Sequence, residues 1–268
     1  MTMDLAVLQR IEDFYDVVPR SVARAEVHGP LTLFVREGAG WPFYARPTHG
    51  GGVITVADVV AARARQRELG VPEAFEWVEQ LAPTMTDAAR GAGLGVRHCP
   101  LLVLDTFAPS RVAADLRVLE ADAPDLALVE AVAQVGFGAQ IGTGIGTAGV
   151  AERDQAAASA DPARLDQVRA GLRDGASARV AAYGPDGGPI SCGGYQHALG
   201  VVEIVGVATL PAARRQGLGG AVTVRLAQLA LERGLGTVFL SAQDDDVARV
   251  YERIGFTRVA TAGLAEPA

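Results

Sequence analysis

Residues 201–236, VVEIVGVATLPAARRQGLGGAVTVRLAQLALERGLG, narrow the fold more than any other stretch of the chain. Val201, Val202, Ile204, Val205 and Val207 form a β-branched run of strand length. Pro211 ends any strand ladder there, because it has no N–H to donate. Arg214, Arg215 and Gln216 then lead into Gly217, Leu218, Gly219 and Gly220. From Leu218 onward, Val222, Leu226, Leu229 and Ala230 recur at helical spacing, and Gly234 stands where the helix should be capped. The order is strand, basic glycine-rich turn, helix. Such a turn is an anion site: the first amides of a helix have no internal acceptor, the macrodipole is positive there, and glycines let those amides approach a phosphate. A plain helix start accounts for the turn glycines alone; a phosphate site accounts for the two arginines as well.

Arg214-x-x-Gly217-x-Gly219 resembles the Q/R-x-x-G-x-G/A signature of the GNAT superfamily, the acyl-CoA-dependent N-acyltransferases. The resemblance implies an α/β (α+β) GNAT fold, with a mixed, mostly antiparallel sheet, a splayed central strand and flanking helices. It implies that Arg214, Arg215, Gln216, Gly217, Leu218, Gly219 and Gly220 hold the CoA pyrophosphate, chiefly through backbone amides. The strand ending in Val207, Ala208 and Thr209 would splay from its neighbour and pair with the pantetheine. Glu203 lies eleven residues ahead of Arg214, and the EIV run it opens is similar to the strand that carries the general base in the histone-acetyltransferase branch. Residues 244–256, DDDVARVYERIGF, resemble the family's N-x-x-A-x-x-x-Y-x-x-x-G-F segment. That makes Tyr251 the implied general acid and puts Asp244 in the place of the family's common asparagine, among the CoA-binding positions. The resemblance covers residues 201–256 and extends more weakly back to about Arg117.

At 268 residues, one large domain or two small ones is expected. A net charge of −7 argues against a sequence-independent grip on nucleic acid, which needs a basic face, and suits a cationic or neutral partner. Cys99 and Cys192 cannot make a disulfide framework and read as reduced thiols of a cytoplasmic protein. Asp4, Arg10, Glu12 and Asp13 interrupt the first fifteen residues, which do not read as a secretory signal, and no uncharged run approaches membrane-spanning length. His28, His49, His98 and His197 have no Cys or carboxylate at ligand spacing, so no metal is predicted.

Along the chain, residues 1–18 read as an amphipathic helix ended by Pro19, with strands at 31–36 and 41–46. Residues 47–52, PTHGGG, form a glycine-rich loop without the R-x-x-G-x-G pattern. Thr55 is a helix N-cap. A strand at 74–78, a helix at 85–91 and a strand at 96–105 follow. This order recurs in the second half, from 201–209 to a final strand starting at Thr257, and predicts an internal duplication in two GNAT-like halves. The halves are drawn as 1–108, a degenerate copy without the phosphate loop, and 109–268, the catalytic copy, with APSR at 108–111 as the boundary. An unrelated α+β first half is the other reading. The segment 136–149 contains a literal G-x-G-x-x-G at Gly144, Gly146 and Gly149, but a helix precedes it where a dinucleotide site needs a strand. It reads as a substrate lid or a plain connector.

The expected chemistry is direct acetyl transfer from acetyl-CoA to an amine on a small molecule or peptide, without metal, nucleic acid or membrane. Glu203 would take the amine's proton, a backbone amide near Val207 would hold the oxyanion, and Tyr251 would protonate the CoA thiolate. A non-catalytic acyl-CoA-binding regulatory module is the alternative. The first half would close over the site or mediate a homodimer, two roles the sequence leaves open.

Overall fold

A computed structural model describes residues 4–38, 40, 42–106, 112–138 and 147–268. In chain order its elements are α1 (Leu5–Arg20), β1 (Ala23–His28), β2 (Leu31–Arg36), β3 (Arg46–Pro47), α2 (Val56–Leu69), β4 (Phe75–Val78), α3 (Met85–Gly91) and β5 (Leu94–Leu104). There follow β6 (Asp115–Val118), α4 (Leu126–Gly138), α5 (Val150–Ala158), α6 (Pro162–Arg173), β7 (Ser177–Tyr183), β8 (Pro189–Ala198) and β9 (Val201–Thr209). A 3-10 turn at Pro211–Ala213 leads to α7 (Leu218–Glu232), β10 (Thr237–Ser241), α8 (Asp245–Glu252) and β11 (Phe256–Pro267). The chain divides into two compact units. The first is Met1–Val103 with Ser241–Glu252 and Thr257–Ala268; the second is Leu104–Leu240 with Arg253–Phe256.

In the first unit, α1 starts at Asp4, whose carboxylate accepts from the amides of Ala6 and Val7. Its apolar face buries Leu8, Ile11, Phe14 and Tyr15. The helix runs two residues past the expected end at Val18, with Pro19 buried in its last turn. Thr55 caps α2 as its position predicts, and Gly70 ends that helix in the left-handed conformation at φ 68°. Strand β1 has no counterpart in the sequence reading. It alternates Arg24, Glu26 and His28 with small residues, a pattern without a strand's apolar face, and forms by antiparallel pairing with β2 across Gly29. The strand expected at 41–46 is corrected. Residues 42–44 form no strand, Pro42 having no amide for a ladder; only an isolated bridge at Ala45 and the short β3 remain, and Trp41 lies outside the described residues.

The other strands of this unit run in the order β4-β11-β5, so the last strand completes the first unit. Strand β11 pairs antiparallel with β4 from Ala262↔Val78 to Ala265↔Phe75. The core around them holds Leu31, Leu33, Val59, Phe75, Trp77 and Met85.

The strands of the second unit run in the order β10-β9-β8-β7-β6, antiparallel from β6 through β9 and parallel between β9 and β10. This is the expected set of antiparallel strands feeding the central one. Helix α7 lies close on it: a Cβ at Gly193 of β8 would stand 3.0 Å from Val222 and 3.1 Å from Leu226. The β7–β8 turn is held by Arg153, only 3% exposed, which donates to the Pro189 carbonyl at 2.9 Å and to Asp186 at 3.1 Å. The proposed boundary at 108–111 and most of the 136–149 segment, Gly144 and Gly146 included, lie outside the described residues.

Gly263 on β11 faces Trp77 across the pair, and a Cβ there would lie 2.1 Å from the indole. Trp77 is fully buried and cannot step aside without opening the core. Gly263→Ala is therefore expected to lower the unfolding free energy by about 1–3 kcal/mol in urea denaturation. An unchanged midpoint would mean that the indole repacks freely.

Candidate active site

The central strand β9 is shaped by one residue. In its pairing with β8 the register runs Tyr195↔Ile204 and Gly194↔Val205, then resumes at Cys192↔Ala208. An extra residue of β9 is thus accommodated opposite Gly193. Gly206 supplies the backbone for it, at φ 65°, where a residue with a Cβ would be strained. On the other side, β10 pairs with β9 at Thr237↔Val201, Val238↔Val202 and Phe239↔Glu203, and the register ends there. Strand β9 continues to Thr209. The stretch from Val207 through Ala208 to Thr209 is therefore the part that has left β10, and its backbone groups on that side face the gap. Its end is held from the β8 side, where the fully buried Ser191 hydroxyl donates to the Ala208 carbonyl at 2.9 Å and stands 2.8 Å from the Thr209 hydroxyl.

Beyond Thr209 the chain turns through Pro211–Ala213 into the glycine-rich loop. Arg215 takes a left-handed φ of 64°, and Gly217 follows at 77° as the N-cap of α7, with no side chain capping the helix. Intrahelical bonding begins at the Ala221 amide, which donates to the Gly217 carbonyl at 3.1 Å. The amides of Leu218, Gly219 and Gly220 precede that bond, so the positive end of the helix macrodipole lies on bare backbone. The glycines here differ in kind. A Cβ at Gly217 would lie 2.6 Å from Val112, and its φ already requires glycine. A Cβ at Gly219 would meet nothing nearer than Val207 at 3.6 Å and the Thr209 hydroxyl at 3.8 Å, ordinary contacts. The fold demands Gly217; it does not demand Gly219.

The loop's side chains do other work. Arg214 donates to the Gly136 carbonyl at 2.8 Å and to the Thr209 carbonyl at 3.4 Å, so its guanidinium ties the end of α4 to the end of β9. That contact is tight, since a Cβ on Gly136 would stand 2.9 Å from Ala208. Arg215 and Gln216 are exposed, while Leu218 and Gly220 are buried under the turn.

Glu203 is 9% exposed and lies at the last paired position beside β10. Its cross-strand neighbour Gln196 donates an amide hydrogen to Glu203 Oε2 at 2.8 Å. Sequence reasoning missed Gln196 and Gly206. The isolated glycine inside a β-branched run was the available signal for the latter; the former becomes visible only with the register.

Asp244 and Tyr251 belong to the first unit. Asp244 Oδ1 accepts from the Val247 amide at 2.9 Å and so caps α8. Tyr251, on α8, is 9% exposed, and burial pushes its hydroxyl up to about 12. It is a proton donor throughout the neutral range. His197 donates from Nε2 to the Gly175 carbonyl at 2.7 Å, a structural bond. Cys192 is buried, and burial pushes its thiol up to about 12, which suits a core residue rather than a nucleophile. Among the described residues, no group of three His, Cys, Asp or Glu side chains could hold a metal ion, and no helix is long and apolar enough to cross a membrane.

Residues 151–256 match the model of the Acetyltransferase (GNAT) family. No curated protein matches the chain. Among solved structures, a GCN5-related N-acetyltransferase from Kribbella flavida superposes with a TM-score of 0.66 at 23% identity, covering 97% of this chain and 95% of that one. A GCN5-related N-acetyltransferase-like protein from Streptococcus suis gives 0.56 at 13% identity over 98% of both chains. A tandem GNAT protein from the clavulanic acid biosynthesis pathway gives 0.52 at 16%, covering 89% of this chain and 78% of that one. At these identities the structures speak for the fold, and they do so over nearly the full length. The family match thus covers residues 151–256, and the α+β fold across both halves is similar to that of the GNAT structures.

Proposed function

We propose that the protein is an N-acetyltransferase that uses acetyl-CoA and transfers the acetyl group directly to an amine, with the catalytic machinery in the second half, 109–268. The observation that carries this reading is Gly219. Its missing side chain serves no contact within the protein, yet it keeps the bare amides of the α7 N-terminus open. A diphosphate approaching those amides would use that space. The parted stretch Val207–Ala208–Thr209 adds backbone donors and acceptors for an amide-rich pantetheine arm.

In the proposed reaction the amine loses a proton to Glu203, directly or through one water, and its lone pair attacks the thioester carbon. An amide near Val207 receives the oxyanion. Collapse breaks the C–S bond, and the CoA thiolate takes the Tyr251 proton. Gln196 holds Glu203 in one orientation by its 2.8 Å bond. Arg214, tied to two carbonyls, shapes the loop, and the phosphates are left to backbone amides with Arg215 and Gln216 at the rim.

The two loop glycines separate this reading from a merely structural one. Gly217→Ala should destabilise the protein by about 1–3 kcal/mol through backbone strain and the Val112 contact. Gly219→Ala, which the G/A of the signature allows, should leave stability within about 1 kcal/mol of the parent. Gly219→Asp should put a carboxylate among the free amides and weaken acetyl-CoA in calorimetry by roughly tenfold or more. Parent-like affinity in Gly219→Asp sinks the phosphate-site reading.

Glu203→Gln and Tyr251→Phe should keep acetyl-CoA affinity and lose roughly 10²–10⁴-fold in thiol release with a reactive amine. Binding without thiol release across a broad amine panel would favour the regulatory-module alternative. Because burial disfavours the phenolate, Tyr251 stays protonated up to about pH 12. The rate should therefore show no alkaline fall below about pH 10. A fall near neutrality that Tyr251→Phe removes would overturn its role as the acid.

A further inference from the structure

The face of the second unit's sheet that carries Glu203 holds more charge than the proposed reaction uses. Gln196 of β8 stands opposite Glu203 of β9 on one side and Ser177 of β7 on the other, so the three form one row across the strands. The next row, two residues along each strand, is Arg179 of β7, Gly194 of β8 and Val205 of β9. Residues two apart on a strand share a face and lie about 7 Å from one another.

Arg179 is laid across that face. A Cβ at Gly194 would stand 3.0 Å from Arg179 Cδ, nearer still to its Nη1, and 2.8 Å from the Ala178 carbonyl. A glycine inside a strand weakens it, and what this one admits is a guanidinium. The charge therefore lies over β8, the strand between its own and that of Glu203. A surface ion pair would not require such room. Nε donates to Glu130 Oε1 of α4 at 2.9 Å, and Nη1 to the Ala178 carbonyl at 3.2 Å. Glu130 does not serve Arg179 alone, since Arg164 of α6 stands 3.6 Å from its Oε2. Arg179 Nη2 has no partner among the described residues and is not one of the enclosed atoms, and the side chain is 21% exposed.

We propose that Arg179 Nη2 binds a carboxylate of the acceptor, so that the acceptor is an amino carboxylate of the α- or β-amino acid type. The inference deepens the transferase reading and rests on it: the amine lies at Glu203 and the carboxylate one row away at Arg179. Rows about 7 Å apart are bridged by a short molecule, hydrogen-bonded at about 2.8 Å at each end, and not by one whose two charges are many bonds apart. A zwitterion is neutral overall and is not repelled by the chain's net charge of −7. The second ammonium of a short diamine would meet the guanidinium.

The full chain, saturated with acetyl-CoA at neutral pH, is assayed for thiol release with the common α-amino acids and β-alanine, each beside its carboxamide. The amide has the same shape without the charge, and its amine is the less protonated of the two, so reactivity alone favours the amide. The expected result is an acid whose kcat/KM exceeds that of its amide by about tenfold or more, as one charge-assisted hydrogen bond requires. Arg179→Gln should lower kcat/KM for that acid by about ten- to a hundredfold, through KM, and leave the amide's rate and the acetyl-CoA affinity within about twofold. A merely structural pairing of Arg179 with Glu130 predicts equal losses for acid and amide. If Arg179→Gln does not fold, the preference of the parent chain decides alone. Amides used as well as their acids, or equal losses in Arg179→Gln, would overturn the inference and leave the transferase reading standing. No thiol release with any acid or amide would overturn both.

Discussion

The second unit depends on where two parallel strands stop pairing. Strands β9 and β10 hold register only as far as Phe239↔Glu203, and the bulge at Gly206 turns the rest of β9 away. A parallel pair that ends early would ordinarily leave a costly row of unpaired backbone groups. Here the same bulge keeps the opposite edge of β9 in register with β8 as far as Ser191↔Thr209, so the strand is anchored on one side and open on the other. Glu203 sits at the last paired position, and the glycine-rich turn begins where the open stretch ends. Carboxylate, open backbone and helix N-terminus are therefore spaced by a single irregularity in one strand.

Charge in this molecule is mostly employed internally. Arg214 bonds two carbonyls, Asp244 caps α8, and Arg153 is buried on a turn carbonyl. Each occupies a position where sequence alone suggests a ligand contact or a solvated surface. Their fixed roles leave the α7 N-terminus as neutral amides that no side chain caps. Amides pre-aligned by a helix need no reorganisation, whereas a flexible arginine must be ordered to hold a phosphate.

The strand, turn and helix at 201–236 were legible because each is local: β-branched run, glycines, 3.6-residue repeat. The helix cap at Thr55 was legible for the same reason. What escaped was set by distant partners. Strand β1 lacks a strand's pattern and exists because β2 pairs with it. Strand β11 reads as the end of the second half, yet it lies between β4 and β5, with Gly263 cut to fit Trp77. Gln196 reaches Glu203 only through the β8–β9 register. Spacing likewise cannot reveal that the Arg214 guanidinium lies 2.8 Å from the Gly136 carbonyl.

The same electrostatics separates the two halves. Helix α2 in the first half and α7 in the second each follow a glycine-containing loop. At α7 no side chain caps the helix. At α2 the Thr55 hydroxyl accepts from the Asp58 amide, and the Asp58 carboxylate accepts from the Thr55 amide at 2.8 Å. Hydrogen bonds from Thr55 hold that carboxylate below its usual range, so it is ionised at neutral pH. The positive end of α2 thus already carries an anion of its own, and an incoming phosphate would meet both occupied amides and a like charge. The first half lacks the R-x-x-G-x-G pattern, and a capping box stabilises α2 at the end where an anion would otherwise approach.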